Sequence, residues 1–174
     1  MKKYLLCLVI FIILNMFSYC FADNLGNGYK GAKWGMPPEE VKNILKDSGD
    51  YPYSVFDQSD PQYGYILIFF EEKPGDRQER INCYFYDDQL YGVKYIPYGY
   101  TGRDENNILK TMKQKYGNPK SIFNSKDGFG FPIKAYEWNN NTTKISLQAK
   151  RTSQLSTQVE VYYLSVKLKK LFNK

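Results

Sequence analysis

Pro52-Tyr53-Ser54-Val55-Phe56-Asp57 and Pro119-Lys120-Ser121-Ile122-Phe123-Asn124 share one pattern: Pro, any residue, Ser, a β-branched aliphatic, Phe, then Asp or Asn. They stand 67 positions apart (119 − 52). The residues before them correspond as well. Val41, Ile44 and Leu45 on one side, and Ile108, Leu109 and Met112 on the other, recur at helical spacing. Gly49 and Gly117 follow these segments, as glycine does where a helix ends. The order is therefore helix, Gly stop, Pro-led strand, twice over.

Strand patterns come next. Tyr65 to Phe70 is apolar on both faces and reads as a central strand. Arg80 to Tyr86, a polar turn at Asp87-Asp88-Gln89, and Leu90 to Ile96 read as a hairpin. Ile133 to Trp138, a turn at Asn139-Asn140-Asn141, and Thr142 to Ala149 repeat that design. Lys144 to Ala149 alternates cleanly, so one of its faces is wet. Val159 to Leu164 is a last strand, and Ser165 to Phe172 a short terminal helix. The expected fold class is α+β: a tandem repeat of one helix followed by about four antiparallel strands, with the helices packed on one face of the sheet. Residues 23–174 are expected to form a single domain of two similar halves, about 29–100 and 101–174.

The first twenty-two residues read as a secretory signal peptide. Lys2 and Lys3 make a basic start, Leu5 to Phe17 is apolar except for Asn15, and Cys20-Phe21-Ala22 precedes polar Asp23. Cleavage after Ala22 is expected, which places residues 23–174 in the periplasm or outside the cell, with no stable membrane span left. Two alternatives compete. An uncleaved anchor meets the objection that the apolar run falls short of the roughly 20 residues that cross a bilayer. Lipidation at Cys20 meets the objection that Phe17-Ser18-Tyr19 lacks the small residues expected beside a modified Cys.

Composition excludes several chemistries. There is no histidine, so Ser-His-Asp and Cys-His catalysis and the usual zinc and iron ligand sets are ruled out. Cys7 and Cys20 lie in the leader, which leaves Cys83 alone and no intramolecular disulfide. Cys83 shares a strand face with Ile81 and Phe85 and reads as a buried, inert thiol. The chain has 24 Lys+Arg and 18 Asp+Glu; without Lys2 and Lys3 the balance is 22 against 18, or +4. That weak, scattered surplus does not point to a nucleic acid.

Acidic candidates read as ordinary surface. Adjacent residues on a strand face opposite ways, so neither Asp87-Asp88 nor Glu71-Glu72 supplies the two facing carboxylates of a glycosidase. Asp47, Asp50, Asp57 and Asp60 lack EF-hand spacing. The sequons at Asn140 and Asn141 fall in a stretch of turn formers. No metal and no cofactor is expected.

The helix start from Gly31 is well specified. Pro38 suits a first helical position, and Glu39 and Glu40 suit the first turn. Glu40 is expected to close a cap, and Met36 to staple onto Val41. Trp34-Gly35-Met36 with Glu40-Val41, and Tyr116-Gly117-Asn118-Pro119 further on, resemble a recurring pattern in small exported bacterial proteins. The second stretch is similar to the Gly-x-Pro ending of the BamE/SmpA-type envelope lipoprotein domain, and the tandem layout resembles the β-lactamase-inhibitor-like fold. The likeness spans most of residues 29–165 in element order. Pro37 departs from the Ser or Thr usual at that cap, and the lipoproteins' lipobox is missing. The resemblance implies a non-catalytic, protein-contacting envelope module and carries no catalytic residues.

The function expected is an exported, non-catalytic binding module of the bacterial cell envelope, its partner an envelope protein or component. The alternatives are a lipid-anchored envelope assembly protein and a carboxylate-dependent hydrolase. Aromatic content is 17%, with 17 Tyr. Tyr joins apolar area to a polar tip and is common at contact surfaces. The residues expected to bind are Trp34, Tyr91, Tyr95, Tyr98, Tyr100 and Trp138.

Overall fold

A computed structural model of the chain describes residues 25–46, 48, 52–71, 79–97, 102–152 and 157–172. The leader with its cleavage and lipidation sites, Asp47, Gly49, Asp50, Glu72, Tyr98 and Tyr100 lie outside the described residues.

A short hairpin comes first, β1 (Gly28–Tyr29) and β2 (Ala32–Lys33). Its turn residues, Lys30 and Gly31, both have positive φ, the conformation that suits a two-residue hairpin. Helix α1 (Pro38–Leu45) follows. Then come β3 (Tyr53–Asp60), β4 (Gly64–Glu71), β5 (Arg80–Tyr86) and β6 (Gln89–Ile96), helix α2 (Gly102–Tyr116), and β7 (Ser121–Lys126), β8 (Pro132–Asn139), β9 (Thr143–Arg151) and β10 (Thr157–Ser165). Helix α3 (Val166–Phe172) ends the order. Strands β3 to β10 form one antiparallel sheet in the order β3-β4-β5-β6-β10-β9-β8-β7.

The expected α+β tandem repeat of helix-plus-strand units is overturned. Among the described residues strand far outweighs helix, and the sheet is one continuous eight-stranded layer beside a two-stranded one. Two physical reasons account for the difference. The helical spacing in two segments marks coverings, not a layer of equal weight: α1 is 8 residues and α2 is 15. The supposed boundary near residue 100 is also bridged, because β10 pairs with β6 through Val161↔Tyr95 and Tyr163↔Val93. The two Pro-led stretches lead β3 and β7, the opposite edges of that one sheet.

One face of the sheet is covered. Leu67 and Phe69 on β4, Ile81, Cys83 and Phe85 on β5, and Val159 and Val161 on β10 pack there with Val41 and Leu45 of α1 and Met112 of α2. Burying an aliphatic or aromatic side chain is worth roughly 1.5–3 kcal/mol, so this core supplies stability that no disulfide among the described residues provides. Helix α1 begins at Pro38 after extended Pro37, but no side chain caps it, so the expected role of Glu40 is not realised. Helix α2 stops as expected: Gly117 has φ +77°, and its N–H donates to the carbonyl of Lys113 at 2.9 Å.

Candidate functional site

Of the six residues expected to bind, the four that are described do not share a surface, and Tyr98 and Tyr100 lie outside the described residues. Trp138 is 1% exposed in the core, and its indole N–H donates to the Gly117 carbonyl at 2.9 Å. Trp34 is half-buried; its Nε1 donates to Thr143 Oγ1 at 2.9 Å, and the Thr143 hydroxyl donates to the Gly26 carbonyl at 2.6 Å. That chain ties the N-terminal segment to β9. Tyr95 pairs with Ile81 and Val161 on the covered face, lies beside Tyr29 at 6.5 Å between ring centres, and donates to Glu79. Tyr91 alone of the described four faces the other way, toward Tyr84 and Tyr63.

That other face is left open by α1 and α2, and its chemistry differs from the core. The register sets Asn82 of β5 opposite Lys94 of β6, Lys94 opposite Tyr162 of β10, and Tyr162 opposite Ser146 of β9. These four side chains form a transverse polar row, about 14 Å long at the usual spacing between strands. At its centre Lys94 Nζ meets Glu160 Oε1 at 2.7 Å, both side chains 17% exposed. Glu160 also accepts from the Tyr162 hydroxyl and, at 2.9 Å, from Gln158 Nε2. The Lys94 ammonium stands 5.4 Å from the centre of the Tyr162 ring. Burial and the Glu160 carboxylate both push the Tyr162 phenol well up.

An aromatic group borders the row. Tyr84 lies 5.7 Å from Tyr63 and 6.2 Å from Tyr91 between ring centres, and the Tyr91 hydroxyl donates to the Tyr63 carbonyl at 3.2 Å. Burial pushes the Tyr84 phenol up, against a lowering by its hydrogen bond with Asn82. Burial, and then the neighbouring Tyr84, pushes Tyr91 up to about 12. Tyr63 and Tyr86 are exposed.

Among the described residues, three buried polar atoms on this face have no hydrogen-bond partner: Arg80 Nε, Asn82 Oδ1 and Ser146 Oγ. Such a group normally finds a partner, because leaving it bare costs about 1–3 kcal/mol. The carboxylates of the face are, by contrast, engaged. Glu160 holds three donors, Glu137 meets Lys144 at 2.6 Å, and Asp60 accepts two backbone N–H groups of its own turn. The arrangement can present hydrogen-bond groups and aromatic area to another molecule. A hollow of about 70 Å³ at the end of the sheet, lined by Tyr86, Asp87, Gln89, Tyr91 and Leu168, falls short of the roughly 300–1,000 Å³ of small-molecule sites. Among the described residues there is no group of three or more His, Cys, Asp or Glu able to hold a metal ion, and no helix long and apolar enough to cross a membrane.

Sequence reading passed over Asn82, Lys94, Ser146, Glu160 and Tyr162. The signal was present as alternation: Asn82-x-Tyr84 on β5, Gln158-x-Glu160-x-Tyr162 on β10 and Lys144-x-Ser146-x-Gln148 on β9 each put polar groups on one side. Assembling them required the strand order, above all the pairing of β6 with β10.

No curated protein and no solved structure matches the chain. The TP0088 domain matches residues 27–173, which takes in every strand and all three helices described above. The chain belongs to the TP0088 domain family.

Proposed function

We propose that this chain is an exported, non-catalytic binding module of the cell envelope, and that the open face of its sheet takes an envelope protein or component. The observation that carries the reading is the aromatic border of the open face, with Tyr63 and Tyr86 exposed beside Tyr84 and Tyr91, next to the Lys94–Glu160–Tyr162 cluster. These tyrosines supply rigid area with polar tips, the usual anchor chemistry of contact surfaces. Export rests on residues 1–22, and the non-catalytic reading on the engagement of Glu160, Glu137 and Asp60 and on the lack of histidine.

The test is crosslinking in the cell, followed by recovery of the tagged chain and mass spectrometry of what comes with it. The wild-type chain is expected to bring one dominant envelope protein. A variant with Tyr63→Ala and Tyr86→Ala, both at exposed positions, is expected to fold and to lose it. Recovery of the same protein by this variant, or of none by the wild type, overturns the proposal.

A further inference from the structure

The hairpin between β7 and β8 carries an apolar tip that the binding face does not use. Phe129 is 89% exposed, the most exposed large apolar side chain among the described residues, and Phe131 beside it is 39% exposed. The tip is built to hold that position. Asp127 Oδ1 accepts from the backbone N–H groups of Phe129 and Phe131, each at 2.9 Å. Asp127 N–H donates to the Phe131 carbonyl, and Gly130 N–H to the Asp127 carbonyl. Gly130 takes φ +85°, a conformation that favours glycine. An exposed phenylalanine on a braced turn, with Gly128 and Gly130 on either side, projects into solvent.

The charge around this tip has one sign. Residues 118–152 carry Lys120, Lys126, Lys134, Lys144, Lys150 and Arg151 against Asp127 and Glu137, a balance of +4. That equals the whole surplus of residues 23–174, so the remainder of the chain is neutral. The two acids are also matched: Asp127 by Lys150 at 2.7 Å and Glu137 by Lys144 at 2.6 Å. Lys126 pairs in register one step behind the tip, across from Pro132, and Lys134 two steps further back, across from Asn124. At about 3.3 Å per residue, the backbone at these lysines stands roughly 5–15 Å behind the phenylalanine, and the Lys134 ammonium lies 5.2 Å from the centre of the Tyr136 ring.

From this geometry we infer that the β7–β8 hairpin docks on an anionic lipid surface, with Phe129 and Phe131 entering the boundary between headgroups and acyl chains and Lys126 and Lys134 lying at headgroup level. The apolar face of an interfacial segment sinks about 5–10 Å, which overlaps the offset between the aromatic tip and its lysines. A single projecting ring flanked by glycines offers a protein little flat area to cover, whereas a fluid bilayer closes around it. Each lysine near an anionic surface contributes about 1 kcal/mol, or about fivefold in partitioning. The contact is therefore weak and reversible, and needs both the apolar tip and the charge.

The test puts a reporter at the tip of the full chain, as Phe129→Trp. Trp34 and Trp138 are hydrogen-bonded within the structure and give a constant background. With phosphatidylglycerol vesicles the emission is expected to move to the blue, and brominated acyl chains are expected to quench it. Phosphatidylcholine vesicles should do neither. Phe56→Trp, at an exposed position on the opposite edge strand, should stay unquenched in both. Replacing Lys126 and Lys134 together by Glu should lower partitioning at least about twentyfold. Sedimentation with vesicles while the indole of the Phe129→Trp chain escapes the brominated chains would show that another part of the chain, residues 1–22 included, makes the contact, and would overturn the inference. So would equal quenching at positions 129 and 56, or equal partitioning into the two lipids.

Discussion

Removing the hydroxyl of Thr143 is the sharpest available perturbation of the link between the N-terminal segment and the sheet. Thr143 is fully buried, and its side chain works in both directions, accepting from Trp34 Nε1 at 2.9 Å and donating to the Gly26 carbonyl at 2.6 Å. Thr143→Val keeps the shape and removes both bonds. It leaves an indole N–H and a backbone carbonyl without that partner, at about 1–3 kcal/mol each. Trp34 is only half-buried and water relieves part of its loss, so the sum comes to about 2–4 kcal/mol. In a domain of about 150 residues that lowers Tm by roughly 4–16 °C. The assay is urea and thermal unfolding of wild type, Thr143→Val, Trp34→Phe and the double variant. Once Trp34 is gone, the valine costs only the Gly26 bond, so the cycle should show a coupling of about 1 kcal/mol. A Thr143→Val chain within about 0.5 kcal/mol of wild type, or additivity within about 0.5 kcal/mol, refutes the reasoning and frees Trp34 for a role other than holding the fold.

Four further outcomes follow from the same structure. Gly64→Ala should lower the unfolding free energy by about 2–4 kcal/mol, because φ is +77° there and an added Cβ would meet the Phe85 carbonyl oxygen at 2.4 Å; an unchanged urea midpoint refutes that geometry. Cys83 is fully buried and burial pushes its thiol up, so a disulfide reagent at about pH 8 should leave the native chain unmodified and react once urea unfolds it; rapid native reaction would place the thiol elsewhere. Tyr91 titrates at about 12 in the fold against 10.0 for a free phenol, so its stabilising contribution is complete below pH 10 and lost as pH rises toward 12, read by absorbance at about 295 nm in wild type against Tyr91→Phe; a Tyr91 signal already complete at about pH 10.5 counts against its burial. Asp127 is held below the usual carboxylate range, first by its hydrogen bond from Lys150 and then by the backbone of Phe131 and Phe129, so the brace is intact above about pH 4 and lost as pH falls below it; the anisotropy of the reporter indole in the Phe129→Trp chain should drop on acidification, and a rise would contradict this.

Local chemistry was legible in the sequence, and pairing across the sheet was not. The turn at Asp87-Asp88 follows from polar residues between alternating runs, and both take positive φ as a two-residue hairpin demands. The stop at Gly117 follows from glycine's tolerance of that same conformation. The buried Cys83 follows from its neighbours Ile81 and Phe85. The repeated Pro-x-Ser stretches, however, say only that two strands begin alike. They cannot say that β3 and β7 would become opposite edges, or that β6 would close on β10, since such contacts depend on residues far apart in the chain. The weight given to helices failed for a related reason. Apolar spacing of 3.6 marks a helix that covers a sheet as readily as one that forms a full layer, and here the long strands dominate.

The residues of the open face were harder to read because the side-chain alternation of β6 breaks at one point. A regular strand places Tyr91 and Tyr95 on one face, since they are four apart. In the sheet Tyr84 pairs with Gly92 and Phe85 with Leu90, so β6 holds one more residue than β5 between those pairs. That residue is Tyr91. Leu90 and Val93, three apart, are both buried in the core at 0% and 1% exposure, which a strand without a bulge does not permit. The extra residue turns Tyr91 to the open face beside Tyr84 and leaves Tyr95 among the core tyrosines. Gly92 accommodates the irregularity, because a Cβ there would lie 2.9 Å from Leu164 Cδ2. The aromatic border of the open face thus depends on a single inserted residue. Bulges that re-aim a side chain recur beside active sites and at sheet edges, and here one adds a backbone feature to the tyrosines and the Lys94–Glu160–Tyr162 cluster of the open face.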